Sequence, residues 1–157
     1  MSIKRDMQRA ARLAPSLLRE ATDGVVEFLL GQFNADGGGK NRSGESDLYY
    51  TMFAINGLAA LSGAPPTDAI VRYLRGFGEG ADLDFIHQAC LARCWAAMPK
   101  GALDADTACT ILRRLETHRS SDGGYSSAPG RRSGTVYNCF LALGAYQDLG
   151  RETPDSR

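Results

Sequence analysis

The sequence at 118–146, HRSSDGGYSSAPGRRSGTVYNCFLALGAY, places a glycine-rich turn before an uncharged, apolar run. An earlier sequence at 31–61, GQFNADGGGKNRSGESDLYYTMFAINGLAAL, follows the same plan. The turns at Asp36 and Asp122 are 86 residues apart. Half of that distance, about 43 residues, is typical of stacked supersecondary units. It predicts a middle copy near residue 79, where the glycine-rich sequence RGFGEGADLD occurs.

Each copy contains two segments that the pattern predicts to be helices. Before the turns, 17–29 and 108–116 set apolar residues at helical spacing beside charged ones, as amphipathic outer helices do. After the turns, 48–61 and 133–147 carry no charged side chain and align at an offset of 87 residues. Helices that are apolar on every side belong in an interior, so we expect these to be inner helices. The apolar set before the first turn is Leu17, Ala21, Val25, Phe28 and Leu29.

These segments predict an all-α fold built from α/α hairpins. A chain of 157 residues fits one domain. We expect that domain at 16–149, with a basic extension at 1–15 before it and a flexible tail at 150–157 after it. The repeat spacing predicts about six helices in three hairpins, at about 16–62, 66–98 and 104–149.

Composition indicates a soluble protein. Eighteen acidic side chains balance 18 basic ones, which predicts no binding to nucleic acid. The uncharged runs are interrupted by Gly, Pro, Ser and Asn, so we expect no transmembrane segment. The start of the chain lacks the apolar segment of a secretory signal, and its four cysteines lie in helix-like windows. Reduced thiols of this kind favour the cytoplasm.

The repeat resembles one found in a known family. FLLGQFNADGGG and ETHRSSDGGYS each precede a run with an aromatic residue, Tyr50 or Tyr137, and a small-residue ending, NGLAAL or LALGAY. These motifs are similar to the repeat of protein prenyltransferase β subunits and of terpene cyclases of the squalene-hopene type. The resemblance covers roughly 16–149. It implies an α/α toroid, in which a ring of inner helices lines an apolar funnel for isoprenoid chains.

Three hairpins amount to about half of such a ring. The resemblance therefore implies that a second copy or a different partner subunit completes the toroid. Its implied ligand is a polyisoprenoid or a similar hydrophobic molecule. The alternative from the same pattern is a non-catalytic interaction subunit, because helical-hairpin arrays commonly present an apolar surface to another protein.

The resemblance also implies a metal site, which this sequence matches only in part. Zinc prenyltransferases use Asp and Cys two residues apart on one inner helix and His from another. At those registers only Asp84 has the chemistry of a ligand. His87, Cys90 and Cys94 follow at spacings that share one helix face, so the candidate zinc or magnesium ligands are these four residues. The alternative is no cofactor, with the cysteines filling a core.

A second implied catalytic group is the acid of class II terpene cyclases, which protonates an alkene from a DxDD motif. LDADTA, at 103–108, is similar but one Asp short. The candidate catalytic acids are Asp104 and Asp106. Their alternative role is structural, because Asp is favoured at the N-cap and in the first turn of a helix. Whether the chain is an enzyme, of transferase or cyclase type, stays open.

The remaining candidates would bind substrate. The resemblance places Arg131 and Arg132 at the mouth of the funnel, where arginine pairs would grip a diphosphate. Lys40 and Arg42 occur at the equivalent place in the first copy. The repetition of Asp36 and Asp122 within the same turn predicts a structural role as acceptors of backbone N–H groups. The aromatic residues expected to line the pocket, or alternatively to fill the core, are Tyr49, Tyr50, Phe53, Trp95, Tyr137 and Phe140.

Overall fold

The computed structural model describes residues 10–11 and 13–154 and confirms an all-α fold. The described residues are mostly helical and contain a single two-stranded sheet. The chain divides into two compact units, Met1–Gly76 and Phe77–Arg157. Their boundary falls inside the second predicted hairpin, 66–98, so the prediction of one domain stays a prediction. Most of the predicted extension 1–15, and 155–157 of the predicted tail, lie outside the described residues.

The first unit holds four α-helices in its described part, together with the sheet. A short 3₁₀ turn, Arg19–Ala21, joins the first two helices, and the antiparallel strands pair Gly39 with Asp47. The helices are α1 Ala14–Leu18, α2 Thr22–Leu30, α3 Leu48–Ala60 and α4 Thr67–Arg75, and the strands are β1 Gly39–Lys40 and β2 Ser46–Asp47.

The second unit holds three helices in its described part: α5 Phe85–Ala96, α6 Ala105–Glu116 and α7 Val136–Asp148. No helix of the described residues is long and apolar enough to cross a membrane.

The helices after the turns begin at side-chain caps. An extended residue precedes each helix, and its side-chain oxygen accepts a hydrogen bond from a backbone N–H in the first turn. Such caps satisfy donors that the helix itself leaves unpaired. The caps are Asp47 for α3, Asp84 for α5, Asp104 for α6 and Thr135 for α7.

The repeated turn has the same hydrogen bonds in both copies. In the first, the Asn34 N–H donates to the Gly38 carbonyl at 2.8 Å and the Gly38 N–H donates to Asp36 Oδ1 at 2.9 Å. In the second, the Ser120 N–H donates to the Gly124 carbonyl at 2.9 Å, and the Gly124 N–H donates to the Asp122 side chain at 3.0 Å. The offset of 86 residues is therefore confirmed, as is the structural role predicted for the two aspartates.

A side chain four residues after each cap ties the turn to its helix. Thr51 Oγ1 accepts from the Gly39 N–H at 2.7 Å, and Cys139 Sγ accepts from the Tyr125 N–H at 3.3 Å. In the middle copy Gln88 Nε2 donates to the Gly80 carbonyl at 3.2 Å. We name these three side chains the turn anchors. Their shared position is consistent with a third copy of the turn in the middle of the chain, although the hydrogen bond of Gln88 runs in the opposite direction.

The two uncharged helices begin one residue out of the predicted register. Their caps, Asp47 and Thr135, are 88 residues apart instead of 87. Their buried faces still follow 87, because Thr51 and Asn138 are both buried, as are Leu58 and Ala145. The third copy therefore has two more residues than the first between its turn and its cap, and the helix start shifts by one residue against the core.

Helices α5 and α7 run in the same direction within the second unit. Near their starts, Tyr125 contacts both, with its ring 6.3 Å from that of Phe85 and its N–H on Cys139. Near their ends, Arg93 Nε donates to Asp148 Oδ2 at 3.0 Å, and both side chains are largely buried. Hairpin repeats require this arrangement, because every second helix points the same way.

Two expectations about burial were wrong. Leu17 and Phe28, expected in the core, are 79% and 63% exposed. Helix α2 contacts α3 through Leu29, whose side chain approaches Gly57. Val26 approaches Gly63 just beyond the end of α3, and this leaves Phe28 on the far face. The uncharged helices are also not buried on every side, as the surfaces described below show.

Candidate functional site

Helix α3 carries an aromatic surface that is partly open to solvent. Phe53 is 54% exposed, and its ring centroid lies 4.8 Å from that of Tyr49 in an edge-to-face arrangement. Tyr50 lies beside Tyr49, with ring centroids 5.9 Å apart. Both tyrosines are half-buried, and α3 contains no charged residue that would compete for an apolar ligand. We name Tyr49, Tyr50 and Phe53 the α3 aromatic surface.

Helix α7 exposes a similar surface at its first turn. Val136 is 90% exposed and Tyr137 is 47% exposed, while Phe140 is half-buried one turn later. Tyr137 is the second residue after the cap of α7, as Tyr49 is the second residue after the cap of α3. The two units therefore repeat an aromatic side chain at the same place relative to the helix start.

Trp95 does not contribute to an exposed surface. It is 5% exposed and lies near the end of α5, so the alternative of a core position is confirmed for this residue. Its indole Nε1 is buried without a hydrogen-bond partner among the described residues.

Arg131 and Arg132 lie in the exposed loop that leads into α7. Their carbonyl oxygens accept hydrogen bonds from the N–H groups of Ser121 and Asp122, both at 3.1 Å. These bonds fix the backbone of the loop a few residues before the start of α7. Two guanidinium groups thus stand on a fixed backbone near the exposed first turn of α7.

The equivalent positions in the first copy behave differently. Lys40 Nζ donates to the Gly31 carbonyl at 2.7 Å, just beyond the end of α2. A cation there is stabilised by the negative end of the helix dipole. Lys40 is therefore held against the end of α2 and is partly buried, whereas Arg42 is exposed.

The predicted catalytic acids lie at the start of α6. Asp104 Oδ1 accepts from the Thr107 N–H at 2.8 Å and Oδ2 accepts from the Thr107 hydroxyl at 2.7 Å. These two hydrogen bonds hold the pKa of Asp104 below its ordinary value. A proton donor needs the opposite shift, so the geometry fits the alternative role of a helix cap. Asp106 is exposed in the first turn of α6.

Two of the four predicted metal ligands, Asp84 and His87, hydrogen-bond to each other. Asp84 Oδ1 accepts from the His87 N–H and lies 2.9 Å from its ring Nδ1. Burial acts to raise the pKa of Asp84, but these hydrogen bonds outweigh it, and the pKa lies below its usual range. Cys90 and Cys94 are buried, and burial raises the pKa of Cys94 well above its ordinary value.

The four residues therefore do not assemble into a metal site. Across the described residues, no three His, Cys, Asp or Glu side chains come together in a group that would hold a metal ion. Asp84 bends back to cap α5, and the thiols of Cys90 and Cys94 are buried, where the raised pKa of Cys94 keeps it protonated at neutral pH. The ligand set of Asp84, His87, Cys90 and Cys94 stays a prediction that this arrangement does not support.

Sequence reasoning missed a polar network in the second unit. Glu116 Oε1 accepts from the hydroxyl groups of Tyr125 and Tyr146, the latter at 2.7 Å, and Oε2 accepts from Arg119 Nε at 2.8 Å. The Arg119 guanidinium also lies 4.8 Å from the centre of the Tyr125 ring. A further N–H of Arg119 reaches the carbonyl of Pro154 at 3.2 Å. We name Glu116, Arg119, Tyr125 and Tyr146 the Glu116 network.

The network fixes the charge of its members. Burial acts to raise the pKa of Glu116, but hydrogen bonds from Arg119, Tyr125 and Tyr146 outweigh it, and the pKa is lowered. Burial and the bond to Glu116 raise the pKa of both phenols. At neutral pH the network therefore holds one carboxylate, one guanidinium and two neutral phenols. It ties the end of α6 to the turn and to the end of α7.

Comparison of the chain with models of protein families, with curated proteins and with solved structures found no match in any of the three. The relation to the prenyltransferase and terpene cyclase repeat therefore stays a resemblance that rests on the sequence motifs alone.

Proposed function

We propose that this chain is a helical-hairpin repeat protein that binds a polyisoprenoid or similar hydrophobic chain against its uncharged helices. The observation that supports this is the partial exposure of aromatic side chains on α3, which has no charged residue, and on α7, whose one charged residue, Asp148, is its last. Phe53 and Tyr137 are each about half exposed. Keeping such side chains in water costs free energy that an apolar ligand would recover, at roughly 25 cal/mol per Å² of surface covered.

The basic loop before α7 suits a ligand with an anionic head. Arg131 and Arg132 are exposed, and their backbone is fixed by the turn. Guanidinium groups bind phosphate oxygens through paired hydrogen bonds. A diphosphate-headed isoprenoid would place its head at these arginines and its tail on Tyr137 and Phe140 of α7. Because Asp104 caps α6 and the predicted metal ligands do not assemble, the proposed role is binding, with no chemical step assigned.

Substitution of Phe53 tests the proposal. Titration of the full chain with geranylgeranyl diphosphate, followed by isothermal calorimetry, should give saturable binding. Phe53→Ala removes the most exposed ring of the α3 aromatic surface and should weaken binding by about 1–2 kcal/mol, which is roughly a 5- to 30-fold rise in Kd. Phe28→Ala is a matched control, because Phe28 is similarly exposed but lies on α2. No saturable binding, or equal loss in both variants, contradicts the proposal.

Substitution of the two arginines tests whether the diphosphate head group contributes to binding. The double variant Arg131→Ala, Arg132→Ala should weaken binding of geranylgeranyl diphosphate by about tenfold, because each lost charge-assisted hydrogen bond is worth roughly 1.5–3 kcal/mol before solvent screening. The alcohol geranylgeraniol lacks the diphosphate and should bind this variant and the unmodified chain equally. A loss of both ligands would instead indicate a structural role for the loop.

A further inference from the structure

Exposed apolar side chains are concentrated at the start of the described chain. Of the eight large apolar side chains exposed among the described residues, five lie between 13 and 30. Helix α2, all of which is described, contains no buried residue. Monomers rarely leave such a concentration uncovered unless the surface is used. The five residues are Leu13, Leu17, Leu18, Phe28 and Leu30.

Helix α2 has two opposite faces with different surroundings. Leu29 faces α3, where its side chain approaches Gly57, and Val26 approaches Gly63 just beyond the end of α3. The other face carries Gly24 and Phe28, which are four residues apart and therefore neighbours on the helix. Both are exposed, and a Cβ added at Gly24 would meet nothing within 4 Å. A second helix has room to approach closely at Gly24 and to pack on the ring of Phe28.

One edge of this outer face is acidic. Asp23 and Glu27 are exposed and four residues apart, so they line the same side of α2, and Glu20 is exposed in the 3₁₀ turn just before the helix. The first turn of α2 contains Asp23, and its last turn contains no basic residue. We name the outer face of Gly24 and Phe28, with this acidic edge, the α2 docking face.

We propose that the α2 docking face binds an amphipathic helix of another protein whose apolar stripe is flanked by Lys or Arg. The small residue at Gly24 admits a bulky side chain of the partner, and basic flanks complement Glu20, Asp23 and Glu27. A second copy of this chain fits less well. An antiparallel pairing would set the acidic edges against each other, and a parallel pairing would give the carboxylates no basic partner. An anionic membrane would be repelled by the same edge.

Two labelled peptides of about 18 residues test the charge of the partner. Both carry a leucine stripe at helical spacing, flanked in one by Lys and in the other by Glu. Fluorescence anisotropy with the full chain should show the lysine peptide binding at least about tenfold more tightly than the glutamate peptide. The triple variant Glu20→Lys, Asp23→Lys, Glu27→Lys should reverse that preference. All three side chains are exposed, and circular dichroism of the variant checks that it keeps its helical content.

Two further variants locate the binding on α2. Gly24→Leu fills the open space and should weaken binding of the lysine peptide by about tenfold, and Phe28→Ala should weaken it about fivefold. Phe53→Ala, on α3, should leave peptide binding unchanged, so failure of the proposed ligand site and failure of this docking face give different results. Equal affinities for the two peptides overturn the inference. So does self-association of the unmodified chain that Phe28→Ala abolishes, because the occupant would then be a second copy.

Discussion

Asp122 shows how much of a turn one side chain can organise. Its carboxylate accepts from the Ser120 hydroxyl at 2.6 Å, from the Gly124 N–H at 3.0 Å and from the Gly134 N–H at 3.1 Å. These bonds, led by that from Ser120, hold the pKa of Asp122 below its ordinary value. One ionised group thus joins the turn to the residue that precedes the cap of α7.

Removal of this carboxylate should loosen the turn. Asp122→Ala leaves the N–H groups of Gly124 and Gly134 without their acceptor, so the melting temperature measured by circular dichroism should fall. Asp106→Ala is the control, because Asp106 is also an exposed aspartate but lies in the first turn of α6. Equal melting temperatures for the two variants would show that Asp122 does not hold the turn.

The Glu116 network makes a second prediction about single residues. Tyr146→Phe removes one hydroxyl from a largely buried site and should lower the free energy of unfolding by about 1 kcal/mol. Glu116→Ala should cost more, because both phenols and Arg119 then lose their shared acceptor. Urea denaturation measures both values, with Tyr49→Phe on the half-buried α3 aromatic surface as control. A cost for Tyr146→Phe no larger than for Tyr49→Phe would contradict the assignment.

The sequence predicted the turn aspartates, and it offered a helix cap as the alternative role of Asp104, but it did not predict this network. Caps and turns depend on residues a few positions apart, where local hydrogen bonding decides the structure. Glu116 and Tyr146 are 30 residues apart, and they meet only because α6 and α7 pack in the same unit. The bond from Lys40 to the Gly31 carbonyl was not predicted for a related reason, since it depends on how the turn folds back on α2.

At the scale of elements, the first turn packs closely against α4. A Cβ added at Gly37 would lie 2.2 Å from the carbonyl of Ala69, and Gly37 has φ +98°. Gly44 has a similar φ of +83°, but a Cβ there would meet nothing within 4 Å. The two glycines therefore share a left-handed backbone and differ in packing.

This pair separates backbone strain from packing. Gly44→Ala should cost about 1–2 kcal/mol of unfolding free energy, the strain of the left-handed conformation. Gly37→Ala should cost clearly more, because the backbone of α4 must also move. Urea denaturation of the two variants measures the difference. Equal costs would mean that the turn does not pack on α4 as described.

Periodicity predicted where the helices lie but not which faces they bury. An apolar residue at helical spacing points to one of two sides, and only the neighbouring helix decides which side is covered. Val26 and Leu29 meet glycines of the first unit, so Phe28 is turned outward although it belongs to the same apolar pattern. The partial exposure of α3 and α7 has the same origin. Where the exposed side of a helix bears no charged residue, the sequence gives no signal of which side faces solvent.

At the scale of the whole molecule, the carboxyl groups with lowered pKa among the described residues are Asp84, Asp104, Glu116 and Asp122, and all four belong to the second unit. A group whose pKa is lower in the folded state adds stability above its unfolded pKa and loses it as the pH falls. The unfolded values lie near about 4. Acid should therefore destabilise the second unit below this pH.

The single tryptophan, Trp95, reports on that unit. Its fluorescence during urea denaturation should show a midpoint that is constant above about pH 5 and falls between about pH 4.5 and 3. In Asp122→Asn the fall should be smaller, because one of the titrating carboxylates is gone. A midpoint that rises with acidification, or a variant with the same pH dependence, would contradict the assignment.

The turn anchors have different chemistry at the same position. Thr51 uses a hydroxyl, Gln88 an amide and Cys139 a thiol, and each forms a hydrogen bond with the backbone of its turn. Exchanges among these types, such as Cys139→Thr, should be tolerated. The equivalence of the copies is therefore easier to recognise from their hydrogen bonds than from the identity of their residues.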